Sequence, residues 1–364
     1  MNTIWPANHP AFRYVGRFAH LDQTLPHNPD PVRFAWSASQ IQWRFTGQAC
    51  MAQLETVAHP EGWCNYFEVL LDDRPPTTLK LDPSQTQYIL AADLEPGEHT
   101  LTLVKRTEAF FPVVTFRRLE LDAGAELLPI QDRPPYTLEF IGDSITCGYG
   151  NEATSGEEPF RDATENAYQS WAAIAARELN ADVITICHSG FGLLQNYDRT
   201  TRPTMFHLYD RTLLADPTPW HFPDPSPDAV IINLGTNDFA HRPPDQAAFV
   251  SAYIALIRKV RSHYPQTQIV SVLGPILGDD WPTNPKTHQP FPTLSLTRDS
   301  LQQLQAQLAA AEEAGIAILE LTPQAPERGY GADFHPSLAQ QQLNGQELAD
   351  FLRPLLPEKN LSNS

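Results

Sequence analysis

The chain has 364 residues, with 25 Lys+Arg against 43 Asp+Glu, a formal net charge of −18, and is 41% hydrophobic and 19% charged. So acidic a surface repels phosphate backbones and anionic headgroups, which excludes nucleic acid and membranes as expected partners. The length suits about two domains with sizeable cores.

The 34 prolines are spread through turns rather than gathered into a tract, so long ordered loops are expected instead of disorder. Cys50, Cys64, Cys147 and Cys187 match no zinc spacing. No metal or cofactor is expected. Reduced thiols are the simpler reading, with Cys50 and Cys64 the pair that could bridge in an exported protein. Met1 to Pro6 shows neither a basic patch nor an apolar core. The chain as written therefore reads as cytoplasmic, or as secreted if a leader has been removed. Its oligomeric state is not readable from these features.

From about Val32 to Leu121 apolar residues alternate with polar ones. Ile41, Trp43 and Phe45 interleave with Gln42, Arg44 and Thr46, and His99 to Val104 does much the same. Turn signals such as Asp72-Asp73-Arg74-Pro75-Pro76 and Glu95-Pro96-Gly97 break the runs. This pattern predicts an N-terminal antiparallel β-sandwich, jelly-roll-like, over residues 1–130.

After Gln131-Asp132-Arg133-Pro134-Pro135, which reads as a linker, the rhythm becomes strand then helix. Apolar runs at Leu138–Ile141, Val183–Cys187, Ala229–Asn233, Ile269–Leu273 and Ile316–Leu321 are separated by helical patterns such as Phe249-Tyr253-Ile254-Ile257. Parallel strands need such crossovers, so residues 131–364 are expected to form a three-layer α/β/α domain around a five-stranded parallel sheet. Ligands bind at the carboxyl ends of such strands.

Polar motifs fall at those ends. Gly142-Asp143-Ser144-Ile145 follows the first strand, His188-Ser189-Gly190-Phe191-Gly192 the second and Gly235-Thr236-Asn237-Asp238 the third, while Asp333-Phe334-His335-Pro336 precedes the last helix. A serine hydroxyl needs an imidazole to take its proton, and the attacked carbonyl needs donors aimed at its developing oxyanion. Ser144 is thus the candidate nucleophile and His335 the base, with Asp333 its orienting carboxylate. The Ser144 and Gly190 amides and the Asn237 side chain are candidate oxyanion donors. Asp143 and Asp238 are read as structural carboxylates bonded to loop amides, and His188 as a loop histidine.

The order Gly-Asp-Ser-Ile, Gly, Gly-Thr-Asn-Asp, Asp-x-His-Pro resembles the SGNH (GDSL-like) hydrolases. The longer string from Phe140 to Glu152, with Pro96-Gly97-Glu98-His99 and Lys105-Arg106-Thr107-Glu108-Ala109 in the first half, is similar to the family 2 carbohydrate esterases. That resemblance implies a serine esterase that removes acetyl groups from plant polysaccharides such as xylan or glucomannan, preferring O-6 acetates. Many SGNH enzymes place the aspartate three residues before the histidine, whereas Asp333 lies two before His335. A dyad in which a backbone carbonyl orients His335 is therefore the alternative to an Asp333 relay. Tyr149, Phe191, Trp281 and Tyr330 lie in loops expected to rim the strand ends, where aromatic faces could stack on sugar; Trp220 lies in a similar loop. Rival readings are a lipase-like GDSL hydrolase and a glycan-binding protein without turnover.

Overall fold

Two antiparallel sheets fill the N-terminal part of the computed structural model, which describes residues 2–20 and 31–359. One sheet runs Phe18–His20, Val32–Phe34, Val114–Leu121, Cys50–Glu55, Gln87–Ala91, with Thr3–Pro6 also on Val114–Leu121. The other runs Leu127–Leu128, Gln40–Thr46, Glu98–Lys105, Tyr66–Leu71, Thr77–Lys80, with Arg13–Val15 on Gln40–Thr46. Burial alternates along Gln40–Thr46 as the period-two pattern requires, sending Ile41, Trp43 and Phe45 inward. They meet Phe34, Leu54, Phe116 and Leu119 in the core between the sheets.

The C-terminal part is a parallel sheet of five strands. Its order is Ala181–Cys187, Tyr136–Gly142, Ala229–Asn233, Gln268–Leu273, Ala317–Glu320. The first strand in sequence, Tyr136–Gly142, sits between the second and the third, so the winding reverses there and a crevice opens beyond its carboxyl end. Neighbouring residues of these strands face opposite layers. Ile141, Val230, Ile232 and Ile269 join the core built on helices Gln246–His263 and Thr293–Ala310. Phe140, Ala229, Ile231 and Val270 join the one built on Trp171–Glu178 and Leu338–Leu352. Strands buried on both faces explain the unbroken apolar runs of the sequence.

The sandwich is sewn to this sheet. Ala35, Trp36 and Ala109 pack in one core of the parallel-sheet domain and Ala38 in the other. The Trp36 indole donates to the Thr212 carbonyl at 2.9 Å, and the fully buried Arg17 guanidinium donates to the Tyr209 and Arg211 carbonyls. All four cysteines are free, including Cys50 and Cys64. Among the described residues no helix is long and apolar enough to cross a membrane.

Candidate active site

Ser144 begins a one-turn helix, Ser144–Cys147, directly after the first parallel strand. Asp143 caps it, accepting the Ile145 amide at 3.1 Å. Asp143 also accepts from the Asn237 side-chain nitrogen at 3.4 Å, tying the end of the first strand to the end of the third. Burial pushes its carboxyl up to about 7. Asp238 is used similarly. It accepts the Leu193, Leu194 and Gln195 amides at 3.0, 2.7 and 3.0 Å and so shapes the loop after the second strand, and burial pushes it up to about 6 against those three donors. Both carboxylates have the structural part expected of them.

His335 reaches this corner from the loop before the last helix. The Ser144 hydroxyl lies 2.9 Å from His335 Nε2, and His335 Nδ1 lies 3.1 Å from the Ala332 carbonyl. A carbonyl only accepts, so Nδ1 carries the ring proton and Nε2 is left with a lone pair facing the hydroxyl. Burial lowers the imidazole pKa, against the raising effect of the Ala332 carbonyl and the Asp333 charge. The neutral base is thereby favoured.

The Asp333 carboxylate is not on the imidazole. It accepts the Tyr149 hydroxyl at 2.8 Å and the Phe160 amide at 3.1 Å. The reason is local: Asp333 and Phe334 both have left-handed backbones, φ 49 and 57. Conformations that side chains rarely adopt turn this carboxylate outward. The surrounding chain holds them there, since the Ala332, Asp333 and Phe334 amides donate to the Gly150, Glu158 and Gly156 carbonyls. Gly150 is required at that seam, because a Cβ there would lie 2.3 Å from the Ala332 methyl. Asp333 as direct orienter is thus corrected to a carboxylate that holds Tyr149, whose ring lies 4.2 Å from the His335 ring.

Gly190 has φ 77, open to glycine, and neither its amide nor that of Ser144 has a partner among the described residues. The Asn237 nitrogen is engaged more firmly by the Phe191 carbonyl, at 2.9 Å, than by Asp143.

The family model for the GDSL-like lipase/acylhydrolase family matches residues 140–343, and that for the carbohydrate esterase 2 N-terminal region matches residues 14–130. A solved family two carbohydrate esterase from Clostridium thermocellum, in complex with cellohexaose, is 34% identical with a TM-score of 0.83, covering 94% of this chain and 98% of that one. The chain belongs to the GDSL-like hydrolases, among the family 2 carbohydrate esterases. A cellulase/esterase, CelE, of Acetivibrio thermocellus is 35% identical over 341 residues, 94% of this chain but 39% of that longer protein. An acetylxylan esterase / glucomannan deacetylase of Cellvibrio japonicus is 28% identical over 277 residues, 75% of this chain and 74% of its own length.

In this esterase-family chain the four aromatic residues marked in the sequence lie in different settings. Tyr149 stacks between His335 and Phe160, and Phe191 stacks on His188 at 4.0 Å. Tyr330 meets Phe334 edge-on. Trp281 stands 46% exposed in the loop after the fourth strand, and no ring contact or hydrogen bond joins it to Ser144 or His335. Phe160, Trp63 and Phe110 belong to none of the sequence motifs. They complete an arc of rings, Tyr149–Phe160–Trp63–Phe110–His188–Phe191, with centroids 4.4, 5.4, 5.6, 5.9 and 4.0 Å apart. The arc runs from the base to the Gly190 turn, and its middle comes from the sandwich. Trp63 beside His59, and the Phe110-Phe111 pair after a charged run, are the only signals that could have marked it.

Proposed function

We propose that the chain is a serine esterase that removes acetyl groups from carbohydrate through an acyl-enzyme. The 2.9 Å approach of the Ser144 hydroxyl to a ring nitrogen whose partner nitrogen is committed to a carbonyl carries this reading. Ser144 Oγ attacks the acetyl carbonyl as Nε2 takes its proton. The Ser144 and Gly190 amides receive the oxyanion, joined by Asn237 through the hydrogen held only weakly at 3.4 Å. The imidazolium then protonates the departing sugar oxygen. Water, deprotonated by the same nitrogen, releases acetate and restores the serine. A carbonyl stabilises the imidazolium less than a carboxylate does, so this dyad relies more on its oxyanion donors.

The ring arc is read as the sugar platform, with Tyr149 and Phe191 nearest the reacting ester and Trp281 and Tyr330 as outer contacts. Acetylated xylan or glucomannan is the substrate class favoured, as the name of the Cellvibrio relative suggests, with O-6 acetates the position the family resemblance implies. Acetate release measured on acetylated xylan, acetylated glucomannan and 4-nitrophenyl esters of rising chain length tests it. Release from the polysaccharides, with acetyl preferred over octanoyl, is expected. A rate that rises with chain length favours a lipase-like hydrolase instead, and glycan binding without release favours a silent site.

A further inference from the structure

Lys105-Arg106-Thr107-Glu108, a run of four polar residues, closes a sandwich strand. All four are buried. The Arg106 guanidinium spans Glu68, at 3.1 Å, Glu152 and the Glu165 and Ala163 carbonyls. Lys105 Nζ donates to the Thr107 and Glu108 carbonyls at 2.6 and 3.0 Å, and the Glu108 amide donates to the Glu165 carboxyl at 3.1 Å. Burial first, and then the Glu108 charge, raise the Glu165 pKa, which favours its uncharged form. The run is a fixed plug pressed into the hydrolase, with the Glu108 carboxylate at its tip.

That carboxylate faces the turn after the second parallel strand. Oε2 accepts the Ser189 amide at 2.7 Å and Oε1 accepts the Ser189 hydroxyl at 2.5 Å. Oε2 also lies 3.6 Å from the Cys147 thiol, at the end of the helix that Ser144 begins. The Ser189 carbonyl accepts from His188 Nδ1 at 2.9 Å. In a trans peptide the carbonyl and the next amide point opposite ways, so fixing Ser189 at both its amide and its carbonyl aims the Gly190 N–H. The turn is also closed by the Phe191 amide on the His188 carbonyl at 3.2 Å and by the Tyr197 amide on the Gly190 carbonyl at 2.7 Å, while the Gly190 N–H itself has no partner among the described residues, and glycine is the least restrained residue.

We infer that Glu108, from the β-sandwich, is a positioning residue that aims the Gly190 amide at the oxyanion of the hydrolase. The inference rests on the esterase reading above. The sandwich is then part of the catalytic apparatus, and its docking on the sheet sets the rate of acyl transfer.

The test compares Glu108→Ala, Glu108→Asp and Glu108→Gln with wild type on 4-nitrophenyl acetate and on an acetylated oligosaccharide, with circular dichroism to select folded variants. Losing an oxyanion donor costs about 10²–10³ in kcat, so a loosened one is expected to cost about 10- to 100-fold in Glu108→Ala with KM within about threefold. Asp keeps the charge beside Lys105 but withdraws the carboxylate by one bond, about 1.5 Å, and should lose kcat in the same way. Gln can accept the Ser189 amide and donate to its hydroxyl, so it should stay within about fivefold of wild type. If Ala does not fold, Asp against Gln decides. Wild-type kcat in folded Glu108→Asp or Glu108→Ala, a loss lying in KM, or Gln falling as far as Asp overturns the inference. Wild-type protein that releases no acetate in the same assay overturns the esterase reading instead.

Discussion

Replacing Asp333 by alanine separates a carbonyl-oriented dyad from a three-residue relay. The carboxylate holds the Tyr149 hydroxyl and the Phe160 amide, at 2.8 and 3.1 Å, while the imidazole proton goes to the Ala332 carbonyl. Each lost hydrogen bond is worth about 1 kcal/mol, and only the part passed through the Tyr149 ring reaches the base. Asp333 is exposed, so water also screens its charge. A loss of up to about 1.4 kcal/mol in the barrier gives a kcat reduction of about tenfold or less. Where a carboxylate itself holds the imidazole, disabling it costs about ten-thousandfold. Initial rates on 4-nitrophenyl acetate, above the pH at which the imidazole titrates, read the difference. Asp333→Asn, which can still accept the Tyr149 hydroxyl, should fall between wild type and alanine. A thousandfold loss in folded Asp333→Ala would refute the reasoning, because it would require the carboxylate on the ring.

The acid limb of kcat/KM against pH reports His335. Its folded pKa is lowered by burial, so the neutral base persists to lower pH and the midpoint should lie below the ordinary value of about 6.5. Because the Asp333 charge raises that pKa, Asp333→Asn should move the limb further toward acid; a midpoint above the ordinary value contradicts this. Gly150→Ala puts a methyl 2.3 Å from that of Ala332 at a position with φ 53. It should cost about 1–3 kcal/mol in thermal unfolding and lower kcat by displacing the His335 loop; unchanged melting would remove the close-approach argument. Trp63→Ala should raise KM for acetylated oligosaccharides by about three- to tenfold through lost stacking while sparing 4-nitrophenyl acetate. Equal effects on both substrates would deny it a sugar contact.

Much of this was legible in the sequence because chemistry sits directly past the apolar runs. Ser144, Gly190 and Asn237 lie one turn or less beyond buried strands whose order puts them on one edge, and His335 precedes a helix capped by Ser337. Asp333 misleads for a backbone reason. A left-handed φ at a non-glycine residue is imposed by contacts with residues 150–158, far away in sequence, and composition does not record it. Trp63 and Phe110 become neighbours of the site only when the sandwich docks on the parallel sheet. The buried charges of Lys105–Glu108 follow the same logic: their partners Glu152, Glu165 and Ser189 come from the other half of the chain, which local sequence does not record.

A covalent acetyl at Ser144 is the intermediate that defines this chemistry. Rapid quenching of the wild type with 4-nitrophenyl acetate, followed by peptide mass spectrometry, should find a single acetyl on the peptide bearing Ser144. Ser144→Ala should carry none and release no acetate from glucomannan. An acetyl on a different side chain, or turnover at the wild-type rate by Ser144→Ala, would contradict it.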